Sequence, residues 1–366
     1  MNKFPVPFND LNRIHKPIYK KVTKEFDNLV NKNSFILGEY VEKFENNFSK
    51  YTNSKFSISC ANGTDAIELV LRALDIGEGD EVILPANTFI ATSLAVSRAG
   101  ATPSFVDNDS NYLIDVNKIE KSITKNTKAI IGVNLYGQIA KNKEISKIAK
   151  KNKLYFIEDS AQAHGALQDN KSPGHFSLAS TYSFYPGKNL GAWGDGGCIT
   201  TNNSKLANKI LYLRNWGSKK KYIHNELGIN SRLDPIQAVV LNEKLNFIED
   251  WNKERNEIAN YYLNNLDRSF SLPKTYQKNY HVWHLFVVGS SKRDLIIKKG
   301  NENNIEFGIH YPRPIHRQKA YKHHRQYNSR INNADKFSKL IFSLPIFPKI
   351  TEKEKSKVVN FLNSFA

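Results

Sequence analysis

Cysteine is nearly missing. Two residues, Cys60 and Cys198, in a chain of 366 are too few for a disulfide framework or a cysteine-rich metal site. No stretch approaches the roughly 18 uninterrupted apolar residues of a membrane-spanning helix. The opening residues, MNKFPVPFNDLNRIHK, hold no apolar run of signal-peptide length. Glycine (19) and proline (13) are too scarce for a fibrous or low-complexity chain. No HExxH and no paired Cys/His spacing occurs, so metal catalysis is not expected. No GxGxxG follows a first strand, which argues against a Rossmann dinucleotide site. Together these absences predict a cytoplasmic protein with no membrane association.

What is present is ordinary globular material. Hydrophobic residues make up 40% and charged residues 24%, enough to bury a sizeable core. The length suits two or three domains, or one large α/β domain with an appendage. Lys and Arg number 53 against 35 Asp and Glu, a net charge of +18. Such a balance permits a nucleic-acid partner. However, the lysines are scattered, and the densest basic run, residues 219–221, is short. A small anionic substrate such as a nucleotide or sugar phosphate is the better reading, and no nucleic-acid partner is expected.

From residue 56 the chain alternates two hydrophobic periods. FSISC, EVILP, TPSFVD, KAIIGVNL, KLYFIED, STYSFY and GGCITT are β-prone runs, and most lack strict alternation, which suits strands buried on both faces. Between them lie helical stretches. In ANGTDAIELVLRAL, Ala66, Leu69, Val70 and Ala73 share one face, and Gly100 closes a second helix. Strand–helix alternation predicts a doubly wound, mostly parallel sheet. Residues 215–231 read as a polar loop. One long helical stretch is expected from Asp234-Pro235 to about residue 266, with proline at its start. HVWHLFVVGS and IEFGIHYP read as strands, and EKEKSKVVNFLNSF as a terminal helix. The expected division is a large domain over 1–249 and a smaller α+β domain over 250–366.

Open α/β sheets bind ligands at the carboxyl ends of their strands. After FSISC come Gly63 and Thr64 at a helix start, suited to a phosphate, although Thr64 also reads as a plain N-cap. After EVILP comes Phe89. After KLYFIE comes Asp159, which also reads as a cap for the next turn. After STYSFY comes Lys188 in PGKNLGAWGDGG, where Gly187, Gly191 and Gly194 would let backbone approach a ligand. A solvated loop lysine is the plain alternative. As a set, these residues suit pyridoxal phosphate. A lysine forms a Schiff base with its aldehyde. A carboxylate keeps its ring nitrogen protonated, an aromatic covers its face, and a helix start holds its phosphate.

At these residues the chain resembles the DegT/DnrJ/EryC1/StrS family of sugar aminotransferases, of fold type I. Eight blocks match in order over nearly the whole chain. They are ANGTDAIELVLRAL, ILPANTFIATSLAVSRAGATPSFVD, IEDSAQAHGA, SFYPGKNLGAWGDGGCITT, GINSRLDPIQAVVLNEKL, HVWHLFVV, GIHYPRPIHRQKAY and FSLPIFP. The resemblance implies a large domain with a mixed, mostly parallel sheet flanked by helices. It implies that Lys188 forms the Schiff base with pyridoxal 5′-phosphate, that Asp159 pairs with the ring nitrogen, and that Gln162 meets the phenolic oxygen. Gly63, Thr64 and Ser183 would bind the phosphate and Phe89 would stack on the ring. Asn230 would reach the phosphate of a partner subunit, implying a homodimer with shared sites. Tyr185, His310 and Tyr311 would lie near the sugar. Lys188 excludes the family's dehydratase variant, which carries His there. Trp193 departs from the smaller residue usual in relatives; it either reshapes the substrate mouth or fills a gap.

The implied reaction moves an amino group from L-glutamate to a nucleotide-linked keto sugar. The stretches ending in SRAGATP and RLDPIQA resemble members acting at C-3 of a dTDP-3-keto-6-deoxyhexose, for a surface glycan such as O-antigen. The alternatives are C-4 amination of a UDP- or dTDP-4-keto sugar, or a regulatory protein reusing the fold.

Overall fold

The seven β-prone runs all form strands of one sheet. The computed structural model describes residues 5–366. Three helices come first: α1 (Asn12–His15), α2 (Tyr19–Asn31) and α3 (Glu39–Tyr51). The sheet uses β1 (Phe56–Cys60), β2 (Glu81–Pro85), β3 (Thr102–Val106), β4 (Thr127–Val133), β5 (Tyr155–Asp159), β7 (Ala179–Ser183) and β8 (Gly197–Thr201), with the short β6 (Leu167–Gln168) outside it. Its order is β1-β8-β7-β5-β4-β2-β3. The run from β7 to β3 is parallel, and β8 is antiparallel to both neighbours. Between strands lie α4 (Gly63–Ala73), α5 (Ile90–Arg98), α6 (Val116–Ile119) and α7 (Asn142–Lys151), and α8 (Ser204–Leu213) follows the sheet. β2 and β8 are buried at every position, as sequences without alternation require.

Three large apolar clusters and one small one hold this together. The largest surrounds the sheet and includes Leu69, Ile83, Ile130 and Ile157. A second joins α3 to the segment after β7 through Phe44, Phe48, Phe184 and Leu190. Phe44, Phe48 and Phe184 are fully buried, each contributing about 1.5–3 kcal/mol by transfer from water. The third is C-terminal, built on Tyr262, Phe286, Phe342, Phe347 and Val358, with Val6 added from the other end of the chain. Val6 joins it as an extra strand-like segment: its N–H donates to Asn304 O and its carbonyl accepts from Glu306 N.

Beyond α8 the structure departs from several expectations. The polar stretch at 215–231 is not wholly loop. It contains a small hairpin, β9 (Ser218–Lys220) with β10 (Ile223–His224). The long helix is two, α9 (Pro235–Leu245) and α10 (Ile248–Asn265). Asn246 ends α9, and its side-chain amide donates back to Asn242 O and Glu243 O. Such local side-chain bonds compete with helix continuation. The proposed domain division at 250 falls in the first turn of α10. There Ile248 packs in the α3 cluster, whereas Ile258 packs in the C-terminal one.

Past β11 (Asn279–Tyr280), only Phe286–Gly289 of HVWHLFVVGS forms a strand, β12. Residues 282–285 instead lie along the Tyr136–Gly137 turn, where Val282 N donates to Gly137 O and Leu285 N to Tyr136 O. Gly137 has φ +107°, and a Cβ there would sit 2.8 Å from the His284 and Trp283 nitrogens. After α11 (Arg293–Glu302), IEFGIHYP is irregular, making only isolated bridges through Ile305 and Gly308. Then come α12 (Asn332–Leu340), β13 (Ile341–Leu344), which pairs with β12, and α13 (Glu352–Asn363). Thr351 and Glu354 form a capping box at the start of α13.

Lys244 of α9 is fully buried and ties the segment after β7 to the N-terminal helices. Its ammonium nitrogen donates to Gly191 O at 2.6 Å and lies 2.8 Å from His15 Nε2. Burial pushes its pKa down to about 7.

Candidate functional site

A cavity of about 670 Å³ opens at the carboxyl ends of β2, β4, β5 and β7. Gly63, Thr64, Phe89, Asp159, Gln162 and Ser183 line it, with Tyr185, Lys188, His310 and Tyr311. Asn230 is not in it. That residue is exposed and bridges to Asn215 at the base of the β9–β10 hairpin.

The start of α4 forms one end of the cavity. Asn62, not Thr64, is the N-cap, accepting from Asp65 N through its side chain at 2.9 Å. This leaves Thr64 free to face the cavity. The first N–H groups of a helix have no acceptor within it, and here they carry the positive end of the helix dipole. Gly63 is required for close approach: a Cβ would lie 2.7 Å from Ser183 Cβ on β7. Gly63→Ala should therefore push the start of α4 off β7. We expect cofactor affinity to fall at least tenfold, read by titrating cofactor-free protein, with the fold kept. Unchanged affinity would show that the approach is not needed.

Asp159 ends β5. Its carboxylate accepts from Thr92 Oγ1 at 2.8 Å and from Ala161 N at 3.1 Å. So it caps the following turn as well as facing the cavity. Burial raises its pKa, against the Thr92 and Ala161 hydrogen bonds and the Lys188 charge.

Lys188 sits in a loop closed by backbone bonds: Phe184 N to Gly196 O, Ala192 N to Phe184 O and Lys188 N to Tyr185 O. Burial pushes the Lys188 amine down to about 8, opposed by the Asp159 charge. Of the nearby glycines, Gly187 lines the cavity, and a Cβ there would meet only ordinary contacts, so packing does not require glycine at that position. Gly191 does not line it. Its Cβ would strike Pro186 O at 2.3 Å, so it serves loop closure and not ligand approach. Gly194 instead packs beside Gln237: a Cβ there would lie 2.8 Å from its Nε2. Trp193 fills a gap, packed among His15, Tyr19 and Phe26 and outside the cavity lining.

Gln162 accepts from Tyr136 N at 2.7 Å, which turns its Nε2 toward Tyr311 OH at 3.1 Å. Phe89 is half exposed and lies 5.6 Å from the Tyr311 ring. His310 Nδ1 is 2.8 Å from Ser343 Oγ, and burial, then the Lys188 charge, lowers its pKa to about 4.

Sequence reasoning missed several wall residues. Phe8, Asn9 and Leu11 line the cavity from the N-terminus, and Phe8 stacks on His310 at 5.5 Å. Arg255 and His284 line it from the C-terminal half. No motif spacing marks these positions, although HVWHLFVV was singled out as a block.

The residues present fit pyridoxal phosphate. A helix start that a Cβ would close off, a lysine of lowered pKa and a buried carboxylate share one cavity. Among the described residues no cluster of three metal-ligating side chains occurs, and no helix is long and apolar enough to cross a membrane.

Comparison with known proteins agrees with this geometry. The family model described as the DegT/DnrJ/EryC1/StrS aminotransferase family matches residues 17–363. A dTDP-3-amino-3,6-dideoxy-alpha-D-galactopyranose transaminase of Aneurinibacillus thermoaerophilus is 46% identical over 98% of this chain and 99% of its own. The crystal structure of S. venezuelae DesV with a ketimine intermediate superposes with a TM-score of 0.96, at 36% identity over 98% of each chain. NtdA of Bacillus subtilis, solved with bound PMP, superposes at 0.93, with 32% identity over 99% of this chain and 85% of its own.

Proposed function

This chain belongs to the DegT/DnrJ/EryC1/StrS aminotransferase family, and we propose that it transfers an amino group from L-glutamate to C-3 of a dTDP-3-keto-6-deoxyhexose. The coarser description is a pyridoxal-phosphate-dependent nucleotide-sugar aminotransferase. The observation that carries the chemistry is Lys188, a lysine of lowered pKa sharing one cavity with Asp159. The choice of C-3 draws support from the 46% identical relative named for a 3-amino product.

Bound pyridoxal phosphate supplies an electrophilic carbon and a ring that takes up the electron pair left when a substrate carbon loses its proton. Gly63, Thr64 and Ser183 hold its phosphate at the α4 start. Asp159 holds the proton on the ring nitrogen, and Gln162 donates to the phenolic oxygen. Phe89 covers the ring face. Lys188 moves the proton at the reacting carbon. With a pKa of about 8, about a tenth of the amine is neutral at pH 7. Tyr185, His310 and Tyr311 face the sugar.

The working unit is a homodimer, in which Asn230 reaches the partner's phosphate site and residues 219–221 approach the nucleotide diphosphate. Supporting this, the hairpin region exposes apolar side chains, with Tyr222 at 82% and Leu227 at 92% exposure, as a surface that meets another chain does. The enzyme works in the cytoplasm, and its product serves a surface glycan.

Assay with dTDP-3-keto and dTDP-4-keto hexoses plus glutamate should give the 3-amino sugar alone. Amination of the 4-keto sugar alone would overturn the C-3 assignment. Mixing inactive Lys188→Ala with inactive Asn230→Asp should restore partial activity, because one site of the mixed dimer carries neither change. No recovery despite demonstrated subunit exchange would mean that each site is built from one chain.

A further inference from the structure

A chain of buried amides dictates the tautomer of His284. Asn252 Nδ2 donates to His164 O at 2.9 Å. A backbone carbonyl only accepts, so the nitrogen of Asn252 must face it and its oxygen faces Asn189. Asn189 Nδ2 then donates to Asn252 Oδ1 at 2.9 Å and to Val282 O at 2.9 Å. The Val282 carbonyl again admits only the amide nitrogen. The remaining atom, Asn189 Oδ1, lies 3.1 Å from His284 Nδ1. An amide oxygen has no hydrogen, so Nδ1 carries one. A neutral imidazole has a single N–H, and its Nε2 is left with a bare lone pair.

The ring is held neutral by its surroundings. Burial comes first, then the charges of Lys188 and Arg255, with His310 and His164 also acting on it; together they put its pKa well below the usual value. None of these groups is a carboxylate. His284 lines the same cavity as Lys188. Asn252 and Asn189 are both buried, so water does not compete for the bonds that orient the ring.

We propose that the bare Nε2 of His284, which makes no hydrogen bond in this structure, accepts one from the Lys188 amine as that amine moves to the reacting carbon, and so aims it. His284 is thus a positioning residue, acting through Lys188. The proposal rests on Lys188 being the amine that moves the proton. The competing role is purely structural, in which Nδ1–H merely pins residues 282–284 to Asn189.

Two substitutions separate these roles, because each keeps one ring nitrogen. The amide of His284→Asn can replace Nδ1–H but leaves nothing at Nε2. The amide of His284→Gln can put an acceptor at Nε2 but gives up the Nδ1 bond. For positioning, kcat should fall about 100-fold in His284→Asn, with KM little changed, and less than tenfold in His284→Gln. The opposite ranking, or equal losses, overturns the proposal. Nitrogen-15 NMR of histidine-labelled, cofactor-free protein gives a readout independent of turnover. His284 should show a protonated Nδ1 and a bare Nε2 near neutral pH; a proton on Nε2 overturns it. Lys188→Ala is measured alongside. If that variant keeps its activity, the reading of Lys188 fails, while the NMR still reports the tautomer.

Discussion

Lys188→Ala should have no measurable transamination and should lack the yellow absorbance of the lysine-bound cofactor. Among the described residues the cavity lining holds one other cationic side chain, Arg255, and a guanidinium is not a nucleophile at neutral pH. Lys188→Arg should fail for the same reason. The wild-type pH profile should follow the amine. Lys188 is cationic below about pH 8 and neutral above it, so the rate of proton removal should climb through that range and fall off on the acid side. Borohydride reduction of the holoenzyme followed by peptide mapping identifies the attached residue. Label on any lysine other than 188 would refute the assignment.

Asp159→Asn should keep its cofactor and lose about 10³-fold in kcat. The amide is nearly the same shape. Its oxygen can still accept from Ala161 N and its amide nitrogen can donate to Thr92 Oγ1, so both contacts at the end of β5 can be kept. What disappears is the negative charge. Without it the ring nitrogen gives up its proton more readily and the ring draws electrons less strongly. Cofactor retention is read by absorbance after gel filtration and the rate by single-turnover reaction with glutamate. Turnover within tenfold of wild type would show that another group performs the ring-nitrogen role.

Much of the site was legible because its residues sit directly after strands. Gly63, Phe89, Asp159 and Lys188 each follow a short apolar run within a few positions. In a parallel sheet such positions converge on one edge whatever the details of packing. The strands themselves were legible because burial on both faces imposes continuous apolar sequence. Errors gathered where that constraint lapses. In the C-terminal half, elements meet partners far away in sequence, so HVWHLFVVGS has strand composition yet spends residues 282–285 on backbone bonds to the Tyr136–Gly137 turn. The α9–α10 break has no proline or glycine to announce it.

By itself the sequence determined the alternating architecture, the placing of Gly63, Asp159 and Lys188 at the strand ends that line the cavity, and membership of an aminotransferase family. These follow from local spacing, which the chain carries along its length. Tertiary structure alone decided that Phe8 and Asn9 cross to the cavity and that Trp193 packs beside His15 and not in the mouth. It also decided which nitrogen of His284 is bare. That last property depends on the Val282 carbonyl and on Asn189, which lies 95 residues from His284. A hydrogen bond's direction is settled by which atoms meet in space, and only folding brings those atoms together.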